Sequence, residues 1–232
     1  MSLISLAGIT KTYDHTAVPV RALDGVTLEV APGEFTAIVG PSGSGKTTLL
    51  NMIGGLDQPT SGTVVIDGID ISSMRKDDLI DFRLHHIGFV FQAYNLIPVL
   101  TASENVEFIM LLQGVGKAER SRRTLELLES VGLADRADTR PAQLSGGQQQ
   151  RIAVARALAS HPSFVLADEP TANLDTVSAM ALLDLMERLN HEHGMTFIFS
   201  THDARVIQRA HRVVTLEDGK VKSDLSKEHA HS

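Results

Sequence analysis

The sequence predicts an α/β fold: a parallel sheet covered by helices, a smaller antiparallel β subdomain near the N-terminus, and a helical subdomain inserted in the middle. Three observations carry that expectation. Apolar runs such as Phe164-Val165-Leu166-Ala167 do not alternate with polar residues, the mark of strands buried on both faces. A glycine-rich stretch, Gly40 to Thr47, lies between one such run and a helical pattern. The middle of the chain instead repeats apolar residues at helical spacing among Glu and Arg.

Taken in order, Leu28–Val30 and Thr63–Ile66 look like antiparallel strands, with turns at Pro32-Gly33 and Asp67-Gly68. Phe35–Val39 is the first parallel strand, and a helix starts near Lys46. Phe89–Phe91, Phe164–Ala167, Phe197–Phe199 and Val213–Leu216 supply further strands, and Asp218-Gly219 signals a closing hairpin to Val221. Leu111 to Gly132 carries Leu125, Leu128 and Val131 at helical spacing and ends at Gly132. The expected division is a core of residues 1–92 and 159–222, a helical lobe at 93–158, and a frayed polar tail at 223–232.

Composition narrows the function classes. The chain has 232 residues and a formal net charge of −7, from 21 basic and 28 acidic side chains. It contains no cysteine, so disulfides, zinc–thiolate sites, iron–sulfur clusters and thiol catalysis are excluded. The acidic balance argues against nucleic acid as a partner. The uncharged stretch Ile87–Ser103 includes Gln92, Asn95, Pro98 and Thr101 and is shorter than the roughly 20 apolar residues of a membrane span. Met1 to Leu6 lacks the charged start of an export signal. Any membrane role is therefore expected to be peripheral.

Gly40-Pro41-Ser42-Gly43-Ser44-Gly45-Lys46-Thr47, followed by Thr48, matches the P-loop pattern. Glycines let successive backbone N–H groups curl toward phosphate oxygens, and the helix that follows adds its positive end. Lys46 is expected to bridge the β- and γ-phosphates of ATP, and the Thr47 hydroxyl to ligate Mg²⁺. Downstream, Asp168-Glu169 ends a buried run and precedes Pro170. Adjacent carboxylates there repel one another and lose water, so they call for a cation. Asp168 is placed for Mg²⁺, and Glu169 for polarising an attacking water.

A P-loop leaves many nucleotide enzymes open. Leu144-Ser145-Gly146-Gly147-Gln148 discriminates among them. Ser145 and Gln148 have capping-box spacing ahead of an Ala-rich helix toward Leu158. Two glycines in its first turn weaken the helix and leave bare N–H groups for a ligand phosphate. His85-His86 and His191-x-His193 lack a Cys or carboxylate completion for a metal site.

With these motifs in view, the chain resembles, over nearly its whole length, the nucleotide-binding subunits of ABC transporters. Leu144 to Gln148 resembles the family signature, with Ser145 standing 23 residues before Asp168. Tyr13 resembles the aromatic that stacks on adenine, with Val20 beside it. Gln92 resembles the lever glutamine that joins core to helical lobe and completes the Mg²⁺ ligands with Thr47 and Asp168. Asn173-Leu174-Asp175 resembles the loop that crosses between subunits, and His202 the switch histidine at the γ-phosphate. The resemblance implies the ABC ATPase fold and an ATPase with Glu169, His202, Lys46 and Gln92 as its catalytic groups. It also implies a head-to-tail homodimer, with ATP held between the P-loop of one copy and the signature of the other.

Gly40 to Asp57, Phe89 to Val106 and Asp168 to Asp175 are similar to the lipoprotein-releasing and macrolide-exporting branch (LolD/MacB type) of that family. Ala172 departs from the branch's usual Gly. Thr139 to Gln143 stands where large fused exporters carry a Gly-Glu-Arg-Gly-like stretch. A separate integral membrane permease is therefore expected, received on a groove formed with Tyr94 to Val106, at the cytoplasmic side of a bacterial cell membrane. The alternatives are an ATPase that regulates cell-wall enzymes through a permease, a soluble ABC ATPase of DNA repair or translation, and a non-catalytic ATP-gated scaffold.

Overall fold

A computed structural model describes residues 2–14 and 19–227. Two sheets form the framework. The first is antiparallel and contains β1 (Ile4–Tyr13), β2 (Val20–Val30), β4 (Ser61–Ile66) and β5 (Ile69–Asp70), in the order β2-β1-β4-β5. The second contains β3 (Phe35–Val39), β6 (Ile87–Phe91), β7 (Phe164–Asp168), β8 (Thr196–Ser200), β9 (Arg212–Glu217) and β10 (Lys220–Ser226). Its order is β10-β9-β3-β8-β7-β6, parallel except for the β9–β10 hairpin.

The unbroken apolar runs are buried as their composition requires. Phe164 to Ala167 and Thr196 to Ser200 are inaccessible along their length. Phe35 sits at the centre, with its ring 4.6 Å from that of Phe199 and 5.7 Å from that of Phe197. One apolar core joins this sheet to the helical segment, and a second joins it to the antiparallel sheet and α1 (Lys46–Ile53).

The helical segment holds α3 (Ala102–Leu112), α4 (Lys117–Ser130) and α5 (Gly146–Ala159). Before it comes α2 (Lys76–His86), and after β7 come α6 (Thr176–His193) and α7 (Ala204–Arg209). Both α3 and α5 start in capping boxes, Thr101 with Glu104 and Ser145 with Gln148, so each entry angle is fixed by reciprocal hydrogen bonds.

Four expectations are amended. The stretch Leu111–Gly132 is two helices, because the chain turns at Gly114 with φ 76°. The buried stripe of α4 is Thr124, Leu127 and Leu128, leading to Val131, while Leu125 is half exposed. Pro32-Gly33 carries the chain from β2 into β3 of the other sheet and does not close a hairpin. Residues 223–226, expected in a frayed tail, continue β10, where Asp224 pairs with Arg212 at 2.6 Å. Polarity there reflects a sheet edge; the rest of that tail, 228–232, lies outside the described residues.

The parallel register sets Phe91 beside Asp168, and Asp168 beside Ser200. The carboxyl ends of β3, β6, β7 and β8 thus meet along one rim, where open α/β sheets bind ligands.

Candidate active site

The loop after β3 holds conformations that only glycine adopts readily. Gly40 has φ 151° and Gly45 φ 101°; a Cβ at Gly45 would lie 2.4 Å from the Ala22 carbonyl oxygen. Gly45 also begins α1 without a side-chain cap, so the first-turn N–H groups of α1 stay available to an anion. Lys46 Nζ folds over the loop and donates to the carbonyls of Gly40 at 2.8 Å and Pro41 at 2.9 Å. The Ser44 hydroxyl is buried and unpartnered.

This loop forms one wall of a cleft of about 750 Å³, lined by Val20, Gly40 to Gly43, Gly45 to Thr48, Gln92, Glu169, Ala172, Ser200 and His202. Thr47 Oγ1 stands 3.4 Å from both carboxylate oxygens of Asp168. Burial pushes the Asp168 carboxyl above its ordinary range, opposed by the Thr47 hydroxyl beside it. A carboxylate short of water beside a hydroxyl, with Gln92 lining the same cleft, is a donor set that suits Mg²⁺ completed by phosphate oxygens and water. Among the described residues no group of three His, Cys, Asp or Glu side chains forms a protein-only metal site.

Glu169 follows β7 with φ 47°, a conformation that costs a non-glycine residue energy and is held only by its surroundings. Its amide donates to the Ser200 carbonyl at 2.9 Å. His202 Nδ1 lies 2.6 Å from Oε1, and the Thr201 hydroxyl lies 3.2 Å from Oε2. The carboxylate only accepts, so Nδ1 is the protonated nitrogen. A cation, an uncapped helix and a held carboxylate facing one cleft can bind a polyphosphate and draw a proton from water.

Tyr13 lies beside the cleft, in register with Val20 across β1 and β2. Its hydroxyl donates to Asp57 at 3.0 Å, and Lys11 Nζ stands 4.9 Å from its ring centroid. Burial and the Asp57 carboxylate both raise its hydroxyl pKa.

The signature residues do not line this cleft. Ser145 is exposed at the head of α5, bound to Gln148 in the cap, while Leu144 is buried. The two glycines have an internal reason that the sequence did not disclose. A Cβ at Gly146 would lie 2.7 Å from the Tyr94 hydroxyl, and one at Gly147 2.7 Å from Ser178. Asn173 bridges the same corner: its amide donates to the Gln92 carbonyl at 3.0 Å, and its carbonyl accepts from Tyr94. Leu174 packs on the core, and Asp175 caps α6 through Ser178.

Two groups of residues escaped the motif reading. Arg156 of α5 donates to the carbonyls of Tyr94 and Asn95, which are consecutive residues with positive φ. Asp203 accepts from the buried Thr171 hydroxyl at 2.6 Å and pairs with Arg205 at 2.6 Å. Neither lies in a glycine-rich or acidic motif; only the position of Asp203 next to His202 offered a signal. A second cavity of about 600 Å³, lined by Leu56, Ile80, Phe108, Leu112, Ile97 and Arg156 among others, opens between α2 and α3. Leu96 packs into the core beside it, and Val99 is exposed.

The family model described as ABC transporter matches residues 23–172. The macrolide export ATP-binding/permease protein MacB of Brucella abortus is 46% identical over 230 residues, 99% of this chain and 35% of that relative. The methionine import ATP-binding protein MetN of Corynebacterium diphtheriae is 48% identical over 219 residues, 94% of this chain and 64% of that relative. Among solved structures, the ATP-binding cassette MJ0796 of Methanocaldococcus jannaschii, a dimer in a post-hydrolysis state bound to ADP and Pi, superposes with a TM-score of 0.88. It is 44% identical, with 96% of this chain and 98% of that one covered.

Arg205, opposed by burial and helped by Thr171, holds the Asp203 carboxyl down to about 2, against 3.8 when free. The stability it contributes is present in full above the free value and is lost as the pH falls through about 2. Asp203→Asn is expected to cost about 1–2 kcal/mol at neutral pH in urea unfolding. Its deficit against the parent narrows as the pH is taken down from 4; a deficit that stays constant to acid contradicts this assignment.

Proposed function

We propose, for a chain that belongs to the ABC transporter family, that it is the ATP-hydrolysing subunit of a transporter whose permease is a separate chain. Two copies dimerise head to tail around two Mg-ATP. The observation that carries this reading is the division of the site. The P-loop, Asp168, Glu169 and His202 gather at one rim, while Ser145 to Gln148 stand outside that cleft on α5. Each chain thus holds two halves that only a second copy can join, and the dimeric ADP- and Pi-bound cassette MJ0796 supports that assembly.

In the proposed reaction Lys46 leaves the Gly40 and Pro41 carbonyls for the β- and γ-phosphates, while loop and α1 amides bind their remaining oxygens. Tyr13 and Val20 flank the base. Thr47, Asp168 and Gln92 would hold Mg²⁺, which when bound neutralises charge on the phosphate oxygens. Glu169 takes a proton from the attacking water, and His202 moves from Glu169 to donate to the γ-phosphate. ADP and phosphate are the products. ATP spanning two surfaces binds the closed dimer better than the open one, which is what a ligand-driven switch requires. The lobe at 93–158 would swing against the core through Gln92.

The partner is an integral membrane permease received in the apolar cavity beside Ile97. The chain would work peripherally at the cytoplasmic face of a bacterial membrane, with no nucleic acid bound. Among the described residues no helix is long and apolar enough to cross a membrane. The branch-specific stretches favour export, lipoprotein release or mechanotransmission, and regulation of cell-wall enzymes through the permease is the neighbouring alternative.

Complementation tests the divided site. Ser145→Arg and Lys46→Ala chains, each inactive alone, are expected to regain about a quarter of parental ATPase activity when mixed in equal amounts, since half of randomly paired dimers keep one of two sites. No recovery in the mixture counts against head-to-tail pairing. For the groove, Ile97→Asp is expected to reduce co-purification with the permease about tenfold or more while nucleotide binding stays intact. Undiminished co-purification removes this surface from the interface.

A further inference from the structure

Thr201 is fully buried directly after β8, one residue before His202, and no motif assigned it a role. Its backbone is fixed independently of its side chain, because its amide donates to the Ile38 carbonyl at 3.1 Å. The hydroxyl oxygen accepts from the Asp203 amide at 2.9 Å and lies 3.2 Å from Glu169 Oε2. A hydroxyl has one hydrogen to give. With its oxygen engaged by the Asp203 amide and a carboxylate as its other neighbour, that hydrogen points at Oε2.

The surroundings make the contact directional. Asp203 is itself anchored to Thr171 and Arg205, and Thr171 lies two residues beyond Glu169 on the same loop. The hydroxyl therefore closes a ring of contacts around a residue held at φ 47°. It leaves Oε1, now shared with the exposed His202, as the oxygen that turns to the cleft when His202 leaves.

We propose that Thr201 is the positioning residue of the hydrolytic base: its hydroxyl, aimed by the Asp203 amide, holds Glu169 Oε2 so that Oε1 meets the attacking water. This rests on the reading of Glu169 as that base. Thr201 is fully buried and does not line the cleft; it acts through Glu169.

The test is ATP turnover by the full chain with Thr201→Val, Thr201→Ser, Glu169→Gln and the double variant Thr201→Val/Glu169→Gln. Losing a hydrogen bond to a charged group is expected to lower kcat of Thr201→Val by about ten- to hundredfold. KM for ATP stays within about twofold, because the loss falls on the chemical step. Thr201→Ser, which keeps the hydroxyl, returns kcat to within about threefold of the parent. In single-turnover measurement the double variant is no slower than Glu169→Gln, since the two act as one unit. Parental kcat in Thr201→Val, failure of Thr201→Ser to restore it, or an equal further slowing in the double variant each overturns the proposal. Parental turnover by Glu169→Gln overturns the underlying reading instead, so the two failures are distinguishable.

Discussion

Asp168 ends, and Glu169 follows, a strand whose other four residues are buried, and two carboxylates in that position must find donors or cations to replace the water they lose. Much of the active rim is the answer to that demand. Thr47 and the buried Ser200 flank Asp168, Thr201 and His202 take the two oxygens of Glu169, and Lys46 closes the opposite wall. The parallel register makes this possible, because β3, β6, β7 and β8 end at the same level and deliver their loops to one place. At Asp168 burial raises the carboxyl pKa, a cost that a cation beside it would relieve.

A second constraint ties this rim to the helical segment. Tyr94, Asn173, Gly146 and Gln92 meet at one corner, where Asn173 is bonded to the Gln92 carbonyl and to Tyr94, and Gly146 leaves no room for a side chain against the Tyr94 hydroxyl. Arg156 grips the carbonyls of Tyr94 and Asn95 from behind and also lines the apolar cavity. The cleft at Gln92, the head of α5 and the apolar cavity are thus joined by one continuous set of contacts.

Much of this was legible in the residues, and the misses have particular causes. The buried strands could be read because parallel strands covered on both faces cannot alternate. β1 could not: its buried residues Leu6 and Ile9 stand three apart, because a register shift at Gly8, φ 61°, resets the alternation. In α4, Leu125 shares helical spacing with Leu128, yet the stripe through Thr124, Leu127 and Leu128 is the one that packs. The phosphate motif was legible because backbone conformation dictates Gly40, Gly43 and Gly45; the signature glycines Gly146 and Gly147 are helical and answer instead to Tyr94 and Ser178 packed against them. Thr201, Asp203 and Arg156 were not, since their roles depend on loops from distant parts of the chain meeting in space.

In the proposed assembly one chain carries two halves of a site that nucleotide joins across two copies. Sedimentation of the purified Glu169→Gln chain with Mg-ATP, which keeps the nucleotide site while removing the group that takes the proton from water, tests it most directly. A species of about twice the 25.1 kDa chain mass is expected with ATP, and the single-chain mass with ADP. A chain that binds ATP yet sediments at single-chain mass across the concentration range, or one whose dimer is indifferent to the γ-phosphate, contradicts it.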